Sequence, residues 1–116
     1  MSKWTYFTDN EFQGLDMELC AMLDMARSKA GIPFRLTATT QGTHVAHSAH
    51  YKGLAVDIGL GHIGEGFDRD HARFRIVKAL FDVGFKRVET APLHVHADIA
   101  GPPDYMEEIL MHGVDG

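Results

Sequence analysis

At 116 residues the chain has the length of one domain, and 45% hydrophobic with 23% charged residues supplies a core without forcing a disordered tract. A formal charge of −5, with Lys and Arg scattered along the chain, excludes a sequence-independent nucleic-acid binder, which needs a basic stripe against phosphates. The opening MSKWTYFTDNEF lacks the apolar run of a secretory signal, and no stretch approaches the ~20 apolar residues of a membrane span. The expectation is a single soluble domain over 1–116, made in the cytoplasm unless a leader has been removed.

Residues 16–30 predict a helix: Leu19, Leu23 and Ala26 recur at helical spacing with Met22 and Met25 beside them as a core stripe. Cys20 falls among these apolar residues and reads as a buried structural thiol, since a lone cysteine has no internal partner. Gly31 stands at the C′ position and Pro33 bars continuation. FRLTATT, 34–40, alternates and predicts a strand, and 41–53 is polar, His-rich and loop-like. In LAVDIGL, 54–60, Leu54, Val56 and Ile58 point one way and Ala55, Asp57 and Gly59 the other. The second face carries small residues around one carboxylate, which leaves room for a ligand.

GHIGEGFD is a glycine-rich turn, followed by a predicted helix over 70–83 with Phe74, Val77, Leu80 and Phe81 inward and Gly84 as its stop. RVET and LHVHADI predict two short strands. In the latter, His94, His96 and Asp98 share one face while Leu93, Val95, Ala97 and Ile99 share the other. A last short helix is predicted over 104–111. This order implies an α+β fold, a small and mainly antiparallel sheet flanked by helices.

The candidate chemistry lies on the polar faces of these strands. Catalytic zinc takes three nitrogen or oxygen ligands from rigid elements and leaves one position for water. SAHYKGLAVDIG offers an imidazole, His50, at a loop end and a carboxylate, Asp57, on the next strand, with Gly53 letting the backbone turn between them. HVH places two imidazoles, His94 and His96, on one strand face. Each signal taken singly also fits hydrogen-bonded structural side chains; together they suit one metal site.

The string Ser48–Ile58, SAHYKGLAVDI, resembles the SxHxxGxAxD(I/L) signature of zinc D-alanyl-D-alanine carboxypeptidases and L-alanyl-D-glutamate endopeptidases. HVH with Asp98 is similar to that family's second metal motif, and YFTDNEFQGLDMELCAMLDMARSKAGIPFRLTATT looks like the opening helix and strand of its compact, often phage-encoded members. The likeness spans nearly the whole chain. HYKGLAVDI and DRDHARFRIVKALFDVGF are also locally similar to the signalling domain of hedgehog proteins, which shares the zinc-site architecture.

The resemblance implies one Zn²⁺ per chain on His50, Asp57 and His96, with His94 beside the metal and Glu89 as general base. It implies hydrolysis of peptide bonds in peptidoglycan stem peptides, and action at the bacterial cell wall as a lysis enzyme or virion component. Asp98 reads either as an orienting partner of a ligand imidazole or as a solvent carboxylate. His62 borders the site in this reading, His44 and His47 belong to the loop before it, and His71 and His112 have no role.

Two positions depart from the family. Gln41 stands where many members carry the Arg of an SGYR segment, and Leu93 where many carry the acidic base. These departures motivate the alternative, a non-catalytic zinc-stabilised binding or virion structural module of the same fold. A zinc hydrolase for small amides is a third reading.

Overall fold

The computed structural model describes residues 3–37 and 53–99, with the backbone alone of Ala38 and of Ile109–His112. Helix α1 spans Met17–Ala30, strand β1 Leu36–Ala38, β2 Ala55–Gly59, helix α2 Phe67–Asp82, β3 Arg87–Thr90, β4 His94–Asp98 and β5 Ile109–His112. The fold is α+β, as the alternation of patterns predicts.

Local chemistry explains the limits of α1. The Asp16 carboxylate accepts from the backbone N–H of Glu18 and Leu19, satisfying donors that the first turn leaves open. Gly31, at φ 70°, closes the other end with its N–H on the Arg27 carbonyl, a left-handed position that costs glycine little.

The sheet runs β1-β2-β4-β3-β5. The first four strands pair antiparallel, whereas β5 joins the edge of β3 in parallel. Alternation divides the sheet into two faces. Val56 and Ile58 of β2, Val88 of β3 and Val95 and Ala97 of β4 are buried in one cluster with Leu19, Leu23 and Ala26 of α1 and Ile76 and Leu80 of α2. Each such large aliphatic side chain contributes about 1.5–3 kcal/mol by leaving water. The helices therefore cover one face, and Asp57, Glu89, His94, His96 and Asp98 fall on the other.

The segment before α1 closes the end of the core: Phe7 and Phe12 are buried with ring centroids 4.5 Å apart, and Trp4 meets Phe12 edge-on. Gly53, just before β2, has φ 73° and accepts the Asp16 N–H at 2.8 Å; a Cβ there would collide with the Gly14 carbonyl. Only glycine lets the chain enter β2 against this turn.

Four expectations are corrected. The terminal helix predicted over 104–111 is replaced, where described, by strand β5, because the free edge of β3 offers a hydrogen-bond ladder that local helical spacing does not anticipate. Phe74 is not inward but 64% exposed: α2 begins at Phe67 and turns Ala72, Ile76, Ala79 and Leu80 to the core. Small alanines there allow close approach to α1. The methionine stripe is partial, for Met22 packs against the core while Met25 is 54% exposed. The strand predicted over 34–40 is shorter, Leu36–Ala38, and 39–40 lie outside the described residues. Among the described residues no helix is long and apolar enough to cross a membrane.

Candidate metal centre

Register assembles the site. Asp57 of β2 pairs with His96 of β4, and Glu89 of β3 pairs with His96 from the other side. These three residues form one row across the solvent-side face, where directly opposed side chains stand about 4.5–5.5 Å apart at Cβ. One row along, Gly59 faces His94, and in the opposite direction Ala55 and Arg87 flank Asp98. Seven residues of sequence separate Glu89 from His96, yet the β3–β4 hairpin brings them side by side.

His96 is held at both ring nitrogens. Nδ1 lies 3.0 Å from Asp57 Oδ1, and Nε2 lies 2.7 Å from Asp98 Oδ2. Asp98 is 2% exposed, which makes it an orienting partner and not a solvent carboxylate. His94 Nε2 stands 4.0 Å from the second Asp57 oxygen, so both imidazoles of HVH attend one carboxylate. Arg87 lies behind Asp98, its buried Nε 3.4 Å from Oδ2 at ion-pair range but without hydrogen-bond alignment. Arg87 was not singled out in the sequence; its signal is its place two residues before Glu89, on the same strand face.

Two flanking carboxylates accept hydrogen bonds, so the metal-free imidazole carries a proton on each nitrogen. Burial acts to lower the His96 pKa, but the hydrogen bonds and negative charges of Asp57 and Asp98 overcome it and raise the value to about 9. The folded state thus binds this proton more tightly than the unfolded chain, whose imidazole titrates near 6.5. The resulting stabilisation is complete below about pH 6.5 and is lost as pH rises through about 9. In chelator-treated protein the urea midpoint is expected to fall between pH 6.5 and 9.5, and His96→Gln to remove that part of the slope. An unchanged pH dependence in the variant would refute the assignment.

The donor set suits a zinc-sized ion. Two ligands of a tetrahedral zinc, each about 2.0–2.1 Å from the metal, stand about 3.3 Å apart. The His96 Nδ1 to Asp57 Oδ1 separation is 3.0 Å, and Asp98 fixes the far nitrogen as carboxylates do behind metal-bound imidazoles. His50, the third ligand implied by the motif, lies outside the described residues, as do Gln41, His44 and His47. Accordingly, among the described residues no group of three or more His, Cys, Asp or Glu side chains converges as a metal site.

The other histidines separate clearly. His62 lines a cleft with His94, next to the row of Asp57 and His96. His71 is on the exposed side of α2, stacked on Phe67. His112 belongs to β5, of which only the backbone is described. Cys20 is buried in the core, and burial, reinforced by the Asp16 charge, raises its thiol pKa to about 11, as befits a structural thiol. Comparison with protein-family models, curated proteins and solved structures gave no match.

Proposed function

We propose that the chain is a zinc metallopeptidase that hydrolyses peptide bonds in peptidoglycan stem peptides, as a D,D-carboxypeptidase or an endopeptidase acting at the bacterial cell wall. The observation that carries the reading is the clamped imidazole: His96 faces Asp57 with one nitrogen while buried Asp98 holds the other. In this reading His50, Asp57 and His96 hold Zn²⁺, which supplies Lewis-acid activation of water and of the peptide carbonyl.

The chain's own groups then divide the work. Asp98 keeps the His96 ring oriented so that Nδ1 faces the site. Glu89, across the hairpin from His96, accepts the proton of the attacking water and returns it to the leaving amine. His94, whose side chain is 24% exposed, reaches solvent and donates from its ring to the oxygen that gains charge in the transition state. Core packing behind β2 and β4 keeps these groups on rigid strands, where small errors of placement are costly.

The test is incubation of the zinc-loaded protein with purified muropeptides and identification of products by mass spectrometry, with Asp57→Ala as control. A product absent from the control is expected, and its mass names the bond cleaved. With zinc confirmed on the protein, no product from D,D, L,D or L-Ala–D-Glu substrates would overturn the peptidase reading in favour of a non-catalytic zinc-stabilised module.

A further inference from the structure

The outermost line of α2 carries phenylalanine where a surface helix ordinarily carries polar residues. Ala72, Ile76, Ala79 and Leu80 face the core, and on the other side of the helix Phe67, Phe74 and Phe81 recur at intervals of seven. That spacing keeps all three on one line, as in the seam of two paired helices. Phe67 and Phe74 are 79% and 64% exposed, and the Phe67 ring stacks on His71 with centroids 5.7 Å apart. Phe81 roots the line at its far end, partly buried against the core. Single exposed apolar side chains are ordinary. Phe67 and Phe74 on one line, however, expose on the order of 300 Å² per chain, a patch of the size that marks an interaction surface.

The flanking charges decide what fits this line. Asp70 and Lys78 lie four residues before and after Phe74, and Phe67 and Phe81 lie seven before and after it. Both charged side chains are exposed: Asp70 accepts from Arg73 at 2.7 Å, and Lys78 donates to Asp82 at 2.8 Å. Reversing the helix about Phe74 exchanges Asp70 for Lys78 and Phe67 for Phe81. The face is therefore complementary to itself when two copies run antiparallel. It is not when they run parallel, for Asp70 would then meet Asp70. Antiparallel helices also oppose their dipoles favourably.

We infer that α2 is the pairing face of a weak two-fold dimer of this chain. Phe74 of the two copies meet at the axis, Phe67 packs against Phe81 of the other copy, and Asp70 pairs with its Lys78. The seam from Phe67 to Phe81 is about 21 Å long, and two such faces bury roughly 1,000 Å², the lower limit for a specific interface. That area suits reversible association, with a dissociation constant on the order of 10–100 µM. The helices cover the sheet face opposite Asp57 and His96, so pairing leaves the candidate site of each copy open.

Sedimentation equilibrium of the full-length chain from about 1 µM to 1 mM tests the pairing, with chelator present so that no metal bridges histidines of two copies. The mean mass is expected to rise from that of one chain toward that of two. Phe74→Glu, at a position the core does not use, puts two carboxylates at the axis. It should weaken association by at least about tenfold and leave the urea midpoint unchanged. Asp70→Lys and Lys78→Asp each oppose like charges and should each weaken association about fivefold. The double variant Asp70→Lys/Lys78→Asp restores the opposed signs and should return to within about twofold of wild type. A mass of one chain at the highest concentration would overturn the dimer and leave the line of phenylalanines to a partner of other chemistry. A dimer that Phe74→Glu weakens by less than about twofold would place the contact elsewhere and overturn the inference as well. Loss in both single charge variants without recovery in the double variant would overturn the antiparallel register.

Discussion

Glu89→Gln is expected to lower kcat of the zinc-loaded protein on stem peptides by about 10²–10⁴-fold while leaving its zinc content unchanged. The amide keeps the size and hydrogen-bonding reach of the carboxylate but has no basic oxygen to take a proton. Glu89 stands directly across from His96 in the β3–β4 pairing, and the same register sets Asp57 on the far side of His96. In the proposed mechanism a carboxylate in that row shares a water with the proposed ligands without itself being one. Because the lost interaction is made in the transition state, kcat and kcat/KM should fall together and KM should hold. Parallel measurement of bound zinc by mass spectrometry separates the outcomes. A kcat within threefold of wild type would remove Glu89 from the mechanism, and loss of zinc would move it into the ligand set.

The second large effect is expected at Asp98. Asp98→Ala should destabilise the metal-free protein at neutral pH by about 3 kcal/mol, because it strips a buried acceptor from the His96 imidazolium and the only carboxylate from Arg87 among the described residues. It should also weaken zinc binding by about 10–100-fold, since the imidazole that faces Asp57 is no longer oriented from behind. Asp98→Asn keeps an oxygen acceptor for Nε2 and should recover part of the stability, though not the charge felt by Arg87. Urea unfolding with chelator present reads the first effect and competition with a zinc indicator reads the second. Stability within about 0.5 kcal/mol of wild type in both variants would mean that the cost of burying the carboxylate cancels its bonds. Unaltered zinc affinity would show that His96 needs no support to present Nδ1.

These two residues also show where sequence reasoning reaches its limit. The period-2 pattern of LHVHADI places Asp98 on the face of His94 and His96, yet it is equally compatible with a carboxylate in water. Burial settles the matter, and burial depends on Arg87 and β3 arriving alongside β4. Glu89 is harder still. Alternation gives the face of a side chain within its own strand but says nothing of which residue opposes it, and a shift of one residue would turn Glu89 toward the core. The cleft that His62 and His94 line draws on three separate segments, and no local pattern joins them.

Sequence by itself determined the α+β class, the first helix with its Gly31 stop, the two alternating strands and the candidate residues Asp57, His94 and His96. These follow from short-range rules: helical spacing of Leu19, Leu23 and Ala26, conformational freedom at glycine, and opposite faces at successive strand positions. Only the tertiary structure decided the register that lines up Asp57, His96 and Glu89, the burial of Asp98, the outward turn of Phe74 and the parallel docking of β5. Each of these is a competition between distant partners, in which strand edges and core faces are satisfied jointly. Local propensity then yields to the pairing that leaves the fewest backbone groups without hydrogen bonds and the least apolar surface in water.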